Sequence, residues 1–369
     1  MNTRVLCVNL GSRTAKLTLL DVPAEATAGE PGAPAAERDT ALEDIADDAH
    51  LGALDAATAD IVAYRIVRTA GTSGALAAPL DERTRADIEA AREFAPLHSG
   101  PELAAFDELR ARLPRARHVA VFDSAFHHTI GAAAAVYGLP YDAFTHGWRK
   151  IGFHGLSHSY AAARTAVLLG DAAPVRKLVS AHLGGGASLC AIDGPRSIDT
   201  TMGFTPLDGL IMATRSGSLD PGLLLAYMRR YGLSPDAAED VLTNRSGLLG
   251  LSGSADMRDI LAQRDRGDAR AALAFDAFVY RVAGAIGAMT AALGGLDAIA
   301  FLGGIGENSA EVRAGACAPF AFLGADLDAA RNIAPAGDGV VSAQGARVTV
   351  LRIRAREDWM MALAATTLA

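Results

Sequence analysis

Three short glycine-rich stretches lie far apart in the chain and share one chemistry. They are V-N-L-G-S-R-T-A-K at 8–16, H-L-G-G-G-A-S at 182–188 and G-G-I-G-E-N at 303–308. The first two follow apolar, β-branched runs at 5–8 and 178–179, and the third follows 298–302. Each therefore reads as a strand running into a tight loop. Glycine lets backbone N–H groups come close to an anion, and hydroxyls or a lysine add donors. Any one of these loops is equally well a hairpin or strand-to-helix turn. Together, each with donor side chains, they point to a nucleoside triphosphate held between two halves of a molecule. None is a P-loop: G-x-x-x-x-G-K-[ST] is absent, and 303–306 lacks the G-x-G-x-x-G spacing of a dinucleotide fold.

The elements that must position these loops can be read in outline. Residues 6–8 and 16–20 form a hairpin around the first loop. Residues 23–49, rich in Ala, Pro, Gly, Asp and Glu, have little apolar periodicity and read as an exposed insertion, with no clear third strand up to residue 60. A strand at 61–67 enters a small-residue loop at 68–74. An amphipathic helix spans 81–93, and 94–101 is a loop carrying His98. A strand at 118–122 places Asp123 just past its end, and 159–169 is helical. Residues 178–180 and 188–192 bracket the second loop as a hairpin, and 202–222 is largely loop. A long helix at 268–293, strands at 298–302 and 348–353, and a helix at 357–368 complete the chain. A hairpin followed by α/β units thus occurs in the first third and recurs from about residue 178, the pattern of two related α/β lobes around a cleft.

At 369 residues the chain should form two domains. Half the residues are hydrophobic, enough for sizeable cores, and the net charge of −8 argues against nucleic acid or an acidic membrane as a partner. No uninterrupted apolar window reaches a membrane span, and the N-terminus opens on a strand-like run, not an export signal. Cys7, Cys190 and Cys317 are odd in number and widely spaced, as expected of buried thiols in a reducing cytoplasm.

The series F-D-S-A-F-H-H-T (122–129), L-P-Y-D (139–142), G-F-H-G-L-S-H (152–158), H-L-G-G-G-A-S, M-G-F-T-P-L-D-G-L (202–210), T-R-S-G-S-L-D-P (214–221) and G-I-G-E-N resembles, in order, the acetate kinase family of the actin, Hsp70 and sugar-kinase superfamily. The resemblance runs from residue 5 to about 362. It implies an α/β, two-lobed, duplicated ribonuclease-H-like fold with an inter-lobe cleft. One lobe would take 1–123 and 358–369, the other, nucleotide-binding lobe 124–357. It implies ATP-dependent phosphorylation of a short carboxylate, acetate or propionate, with Mg²⁺ or Mn²⁺, by a homodimer.

Carried over by position, the resemblance puts Asn9, Ser12, Thr14 and Lys16 at the nucleotide and metal region. Arg65 and Arg215 flank the transferred phosphoryl group, and His154 stabilises the transition state. Asp123 and Glu357 serve catalysis and the metal, with Asn9 beside Glu357 as a metal residue. His182, Gly184, Gly185 and Gly186 form the phosphate loop. Asp256, Met257 and Arg258, with Gly304, Ile305, Gly306 and Asn308, hold adenosine. Val67, Leu97, Phe153 and Pro206 form an apolar pocket for the acyl group, with Arg65 and His98 nearby. These types suit phosphoryl transfer, whose loose transition state spreads charge over three oxygens and rewards alignment and positive charge. The carboxylate substrate is its own nucleophile. The pair His154/His158 suggests a zinc site only superficially, because Gly152 and Gly155 argue against a helix there.

The chain departs from the family on the acyl side. Where the family reads H-R-V-V-H-G-G-E, residues 64–71 read Y-R-I-V-R-T-A-G; P-L-H-N-P becomes P-L-H-S-G at 96–100; N-E-E becomes R-E-D at 356–358. Arg68 adds a charge beside the expected acyl pocket, either facing solvent beside a carboxylate or meeting a second polar group on the substrate. Two other readings stay open: a nucleotide-binding protein that has lost transfer activity, and a sugar or polyol kinase, which would need a polar pocket with an Asp base.

Overall fold

The structure, a computed structural model, describes residues 2–10, 14–68, 74–92, 96–170 and 176–368. The chain divides into two compact units: one of Met1–His128, Phe153–Val167 and Arg356–Ala369, the other of Thr129–Gly152 and Leu168–Ala355. This division puts residues 153–167 in the first unit, where the sequence suggested the second.

The first unit is built on a six-stranded sheet. Its strands are β1 (Thr3–Leu10), β2 (Thr14–Val22), β3 (Ala36–Ala41), β4 (Ile61–Ile66), β5 (Ala77–Pro79) and β6 (Arg117–Phe122), in the order β3-β2-β1-β4-β6-β5. β1, β2 and β3 form an antiparallel meander, and β4 and β6 run parallel to β1. Side chains alternate across a strand. Leu6, Val8, Val62, Tyr64 and Ile66 share one core with Phe106 and Leu109 of the helix Pro96–Arg112. Cys7, on the other face, donates its thiol to the Asp358 carbonyl of the helix Glu357–Thr366. That helix buries Trp359, Met361 and Ala365. Both faces of the parallel strands are covered, which is why β1 is apolar over residues 5–8 and β4 over 61–64.

The second unit repeats this plan. Its strands are β7 (Lys177–Leu183), β8 (Ala187–Asp193), β9 (Arg196–Thr200), β10 (Ala298–Leu302), β11 (Gly339–Val340) and β12 (Thr349–Arg352). Read from the other edge, the order is β9-β8-β7-β10-β12-β11, which is the first sheet's order strand for strand. The helix Ala269–Leu293 is long and apolar enough to cross a membrane, but it packs on β7, β8 and β9 and buries Phe275, Phe278, Val282 and Ile286. It is a core helix of this unit.

Four sequence expectations need correction. Residues 23–60 do contain a third strand, β3, paired along β2 from Thr14↔Ala41 to Leu19↔Ala36. The stretch before it is held in place: Trp359 Nε1 donates to the Thr27 carbonyl at 2.9 Å, Arg164 to that of Gly29, and Arg356 to that of Gly32. Its partners lie more than 130 residues away, so local periodicity could not reveal it. Residues 96–101 are the opening of the helix Pro96–Arg112, not a loop. A helix also starts at Gly155, so His158 is helical. The motif G-G-I-G-E-N is a short helix, Gly303–Asn308, not an open loop.

Candidate active site

Parallel register brings the first unit's charged residues into a row. β1, β4 and β6 are neighbours, and Asn9, Arg65 and Asp123 stand at or just past their C-terminal ends, where α/β sheets hold their ligands. Arg65 Nη2 donates to Asp123 Oδ2 at 2.7 Å, and Nη1 to Asn9 Oδ1 at 3.1 Å. Asn9 Nδ2 in turn donates to Glu357 Oε2 at 3.0 Å. His154 joins through its backbone, whose N–H donates to Asp123 Oδ2 at 2.9 Å; the Leu156 N–H reaches Oδ1 at 3.3 Å. Asn9, Arg65, Asp123, His154 and Glu357, spread over 348 residues of sequence, therefore form one connected set.

The backbone here is tightly specified. His154 has φ +56°, a left-handed conformation costly for a side chain of this kind. The next residue must be glycine, because a Cβ at Gly155 would overlap the Asp123 carbonyl, which accepts the Gly155 N–H at 3.0 Å. Asp123 is fully buried. Burial alone would raise its pKa, but the charge and hydrogen bond of Arg65 and the two N–H donors hold it below the ordinary value. Burial alone would likewise lower that of Arg65, but Asp123 and Glu357 outweigh it and the pKa lies above the usual range. Both groups stay charged near neutral pH. With its oxygens taken by three donors, Asp123 acts as a holder of Arg65 and of the His154 loop.

The surroundings of Val67 are less apolar than the sequence suggested. Val67 is buried, and its N–H donates to Glu102 Oε1 at 2.9 Å. Glu102, 2% exposed, comes from the helix Pro96–Arg112, and burial pushes its carboxyl up to about 7. Arg68 is 5% exposed, which rules out its solvent-facing reading, and burial lowers its pKa to about 10. Phe153 is buried, and its carbonyl meets His127 Nε2 at 3.0 Å. Leu97 and His98 stand in the first turn of the helix Pro96–Arg112. Thr14 opens β2, while Ser12 lies outside the described residues. Lys16 is ion-paired with Glu37 of β3 at 3.0 Å.

In the second unit, β7 and β10 pair in parallel up to His182↔Leu302, so the loops at their ends adjoin. A cavity of 360 Å³ opens there, lined by Gly184, Gly185, Asp256, Met257, Arg258, Gly304, Ile305 and Asn308, with Ala255, Leu261 and Ser309. Three segments chosen from sequence thus line one pocket, of a size that suits a small ligand. Gly303 is what lets the short helix begin: its φ is +76°, and a Cβ would sit 2.7 Å from the Leu183 carbonyl oxygen. Asp256 caps the helix Met257–Asp265 by accepting the Arg258 N–H, and it also pairs with the exposed Arg258 guanidinium. That bonding to Arg258 lowers the Asp256 carboxyl to about 2. Gly186 closes the hairpin turn, its carbonyl accepting the Gly184 N–H. Arg215 Nη1 donates to the Pro206 carbonyl at 3.2 Å, which brings those two together in this unit.

Two residues that support this pocket escaped sequence reasoning. Glu307 Oε1 accepts the N–H groups of Gly303 and Ala355. Arg313, 1% exposed, donates to the carbonyls of Gly306 and Glu307 and to Asn332. Glu307 lies inside the third motif and could have been singled out there. Arg313 had no signal beyond being a charged residue in an otherwise apolar helix face.

Comparisons with known proteins give the family and the fold. The sequence model of the Acetokinase family matches residues 28–363. The acetate kinase of Gloeobacter violaceus is 44% identical over 310 residues, 84% of this chain and 76% of that protein. The acetate kinase of a Synechococcus species is 48% identical over 282 residues, 76% and 70% of the two chains. Among solved structures, a propionate kinase from Francisella tularensis superposes with a TM-score of 0.88 at 29% identity over all of both chains. The acetate kinase of Porphyromonas gingivalis gives 0.86 at 31% identity over 99% of each. With two similarly folded α/β units, a charged row in one and a glycine-lined pocket in the other, the chain belongs to the Acetokinase family.

Proposed function

We propose that this kinase transfers the terminal phosphoryl group of ATP to a short carboxylate, giving an acyl phosphate and ADP, and catalyses the reverse reaction. The observation that carries this is the connected set of Asn9, Arg65, Asp123, His154 and Glu357 in a chain of this family. A carboxylate oxygen attacks the γ-phosphorus, and the bond to the ADP oxygen breaks. Arg65 and Arg215 offset the charge on the phosphoryl oxygens, and His154 adds a donor. Asp123 keeps Arg65 aimed. The pocket around Gly184, Asp256 and Ile305 takes adenosine. The intact charged set speaks against a family member without transfer activity, and the match to the Acetokinase family over residues 28–363 speaks against a sugar kinase.

A metal ion fits the donor set. Among the described residues no three His, Cys, Asp or Glu side chains cluster. Mg²⁺ in kinases needs only one or two carboxylates, with waters and phosphates completing its shell. Glu357, half-buried with one oxygen on Asn9, is the carboxylate offered, and Asn9 fixes its orientation. When bound, Mg²⁺ or Mn²⁺ would neutralise phosphate charge. We infer a homodimer in the cytoplasm: the helix Pro221–Tyr231 buries none of its side chains and leaves Leu223, Leu225, Tyr227 and Tyr231 exposed, and all three cysteines are buried thiols. Sedimentation tests the assembly. A coupled ADP assay over acetate, propionate and butyrate, with glycerol as control, tests the reaction; ADP release independent of any carboxylate would refute it.

A further inference from the structure

The carboxylate side of this site carries a buried acid that a plain methyl pocket does not need. Glu102 is 2% exposed. One oxygen accepts the Val67 N–H; the other, Oε2, has no hydrogen-bond partner among the described residues. Arg65 Nε is buried and unpartnered in the same sense, and the two side chains are within electrostatic range of one another. A buried acceptor and a buried donor, both unsatisfied and flanking Val67, are rare in folded proteins and call for a group that bonds to them. Acetate and propionate have no hydrogen-bond donor at neutral pH. A short hydroxy acid has one, on the carbon next to its carboxylate.

We propose that Glu102 is a specificity-determining residue, whose free oxygen accepts the hydroxyl of a short 2-hydroxy acid while Arg65 faces its carboxylate. The inference rests on the carboxylate-kinase reading above. It uses atoms that reading leaves idle. Burial holds the Glu102 carboxyl near 7, with Arg65 pulling it down and Asp123 pushing it up, so the group can both accept and share a proton at neutral pH.

The test compares kcat/KM for glycolate and for acetate in the wild type and in Glu102→Gln. Glutamine keeps an oxygen for the Val67 N–H but turns the free end into a donor. A merely structural Glu102 would therefore leave the glycolate-to-acetate ratio unmoved. Expected is a wild type that uses glycolate at least as well as acetate, and a variant in which glycolate loses ~10-fold or more relative to acetate, as for loss of a charged hydrogen bond. A wild type that prefers acetate by ~10-fold, or a ratio unchanged in Glu102→Gln, overturns the proposal. The wild-type ratio decides even if the variant does not fold. If no carboxylate is phosphorylated although ATP binds, the kinase reading itself has failed, and this inference falls with it.

Discussion

Replacing Glu102 by glutamine should stabilise the first unit at alkaline pH and much less in acid. The carboxyl's pKa rises from 4.5 to about 7, chiefly through burial. A raised acid pKa means that the folded state prefers the protonated form. Ionisation therefore weakens folding as pH climbs from the unfolded value towards the folded one, and the cost is constant beyond it. At ~1.36 kcal/mol per pKa unit the penalty is about 1 kcal/mol at pH 5 and about 3 kcal/mol at pH 8. Glutamine does not titrate, and it retains an acceptor for the Val67 N–H. The difference between the two proteins therefore isolates the charge.

Urea unfolding at pH 5, 6, 7 and 8 reads this out. Trp359 is fully buried in the first unit, whereas Trp148 in the second is half exposed. In a Trp148→Phe background, emission from the one remaining tryptophan reports the first unit's transition. The advantage of Glu102→Gln should grow by about 2 kcal/mol from pH 5 to pH 8, the difference of the two penalties. Parallel pH profiles would show that Glu102 is not desolvated in solution. An advantage shrinking with pH would reverse the sign and refute the reasoning outright.

Arg65→Ala and Arg215→Ala should each lower kcat by ~10²–10⁴-fold with little change in the ATP KM, because charge on the phosphoryl oxygens is met chiefly in the transition state; steady-state kinetics at varied ATP checks this, and His154→Ala should act more mildly. Asp123→Asn should cost ~3–5 kcal/mol in urea unfolding at pH 7, since it leaves the Arg65 guanidinium buried against a neutral group. The folded pKa of Asp123 is depressed, so its contribution is present above the ordinary value of 3.8 and is lost as pH falls through the folded pKa; the gap between variant and wild type should close in that acid range. Gly303→Ala forces a Cβ to 2.7 Å from the Leu183 carbonyl at a positive φ, and should raise the KM for ATP more than it lowers kcat; unchanged nucleotide affinity by calorimetry would separate this turn from the pocket.

What the sequence could show depended on whether a signal was local. The strands β1, β4, β6, β7 and β10 were legible because short apolar runs end in small polar loops, and the parallel register then fixes which loop ends adjoin. That is enough to bring Asn9, Arg65 and Asp123 together and to set Gly184 beside Ile305 at one cavity. β3 was hidden for the opposite reason. An edge strand with three exposed residues of six, A-E-R-D-T-A, has almost no apolar alternation, and it exists because β2 offers it a ladder. Glu102 was hidden more deeply. Residues 94–101 read as a loop, and nothing in the following stretch E-L-A-A-F marks its one charged residue as buried. Only the pairing of β4 with β6, and the packing of that helix on β4, turns the glutamate inward onto the Val67 N–H. The family pattern made Val67 an apolar wall, yet its N–H meets the buried Glu102, and the next residue, Arg68, is buried too. On the proposed reading, substrate choice rests on a glutamate whose place depends on tertiary packing, whereas Asn9, Arg65 and Asp123 stand at strand ends that a linear pattern can find.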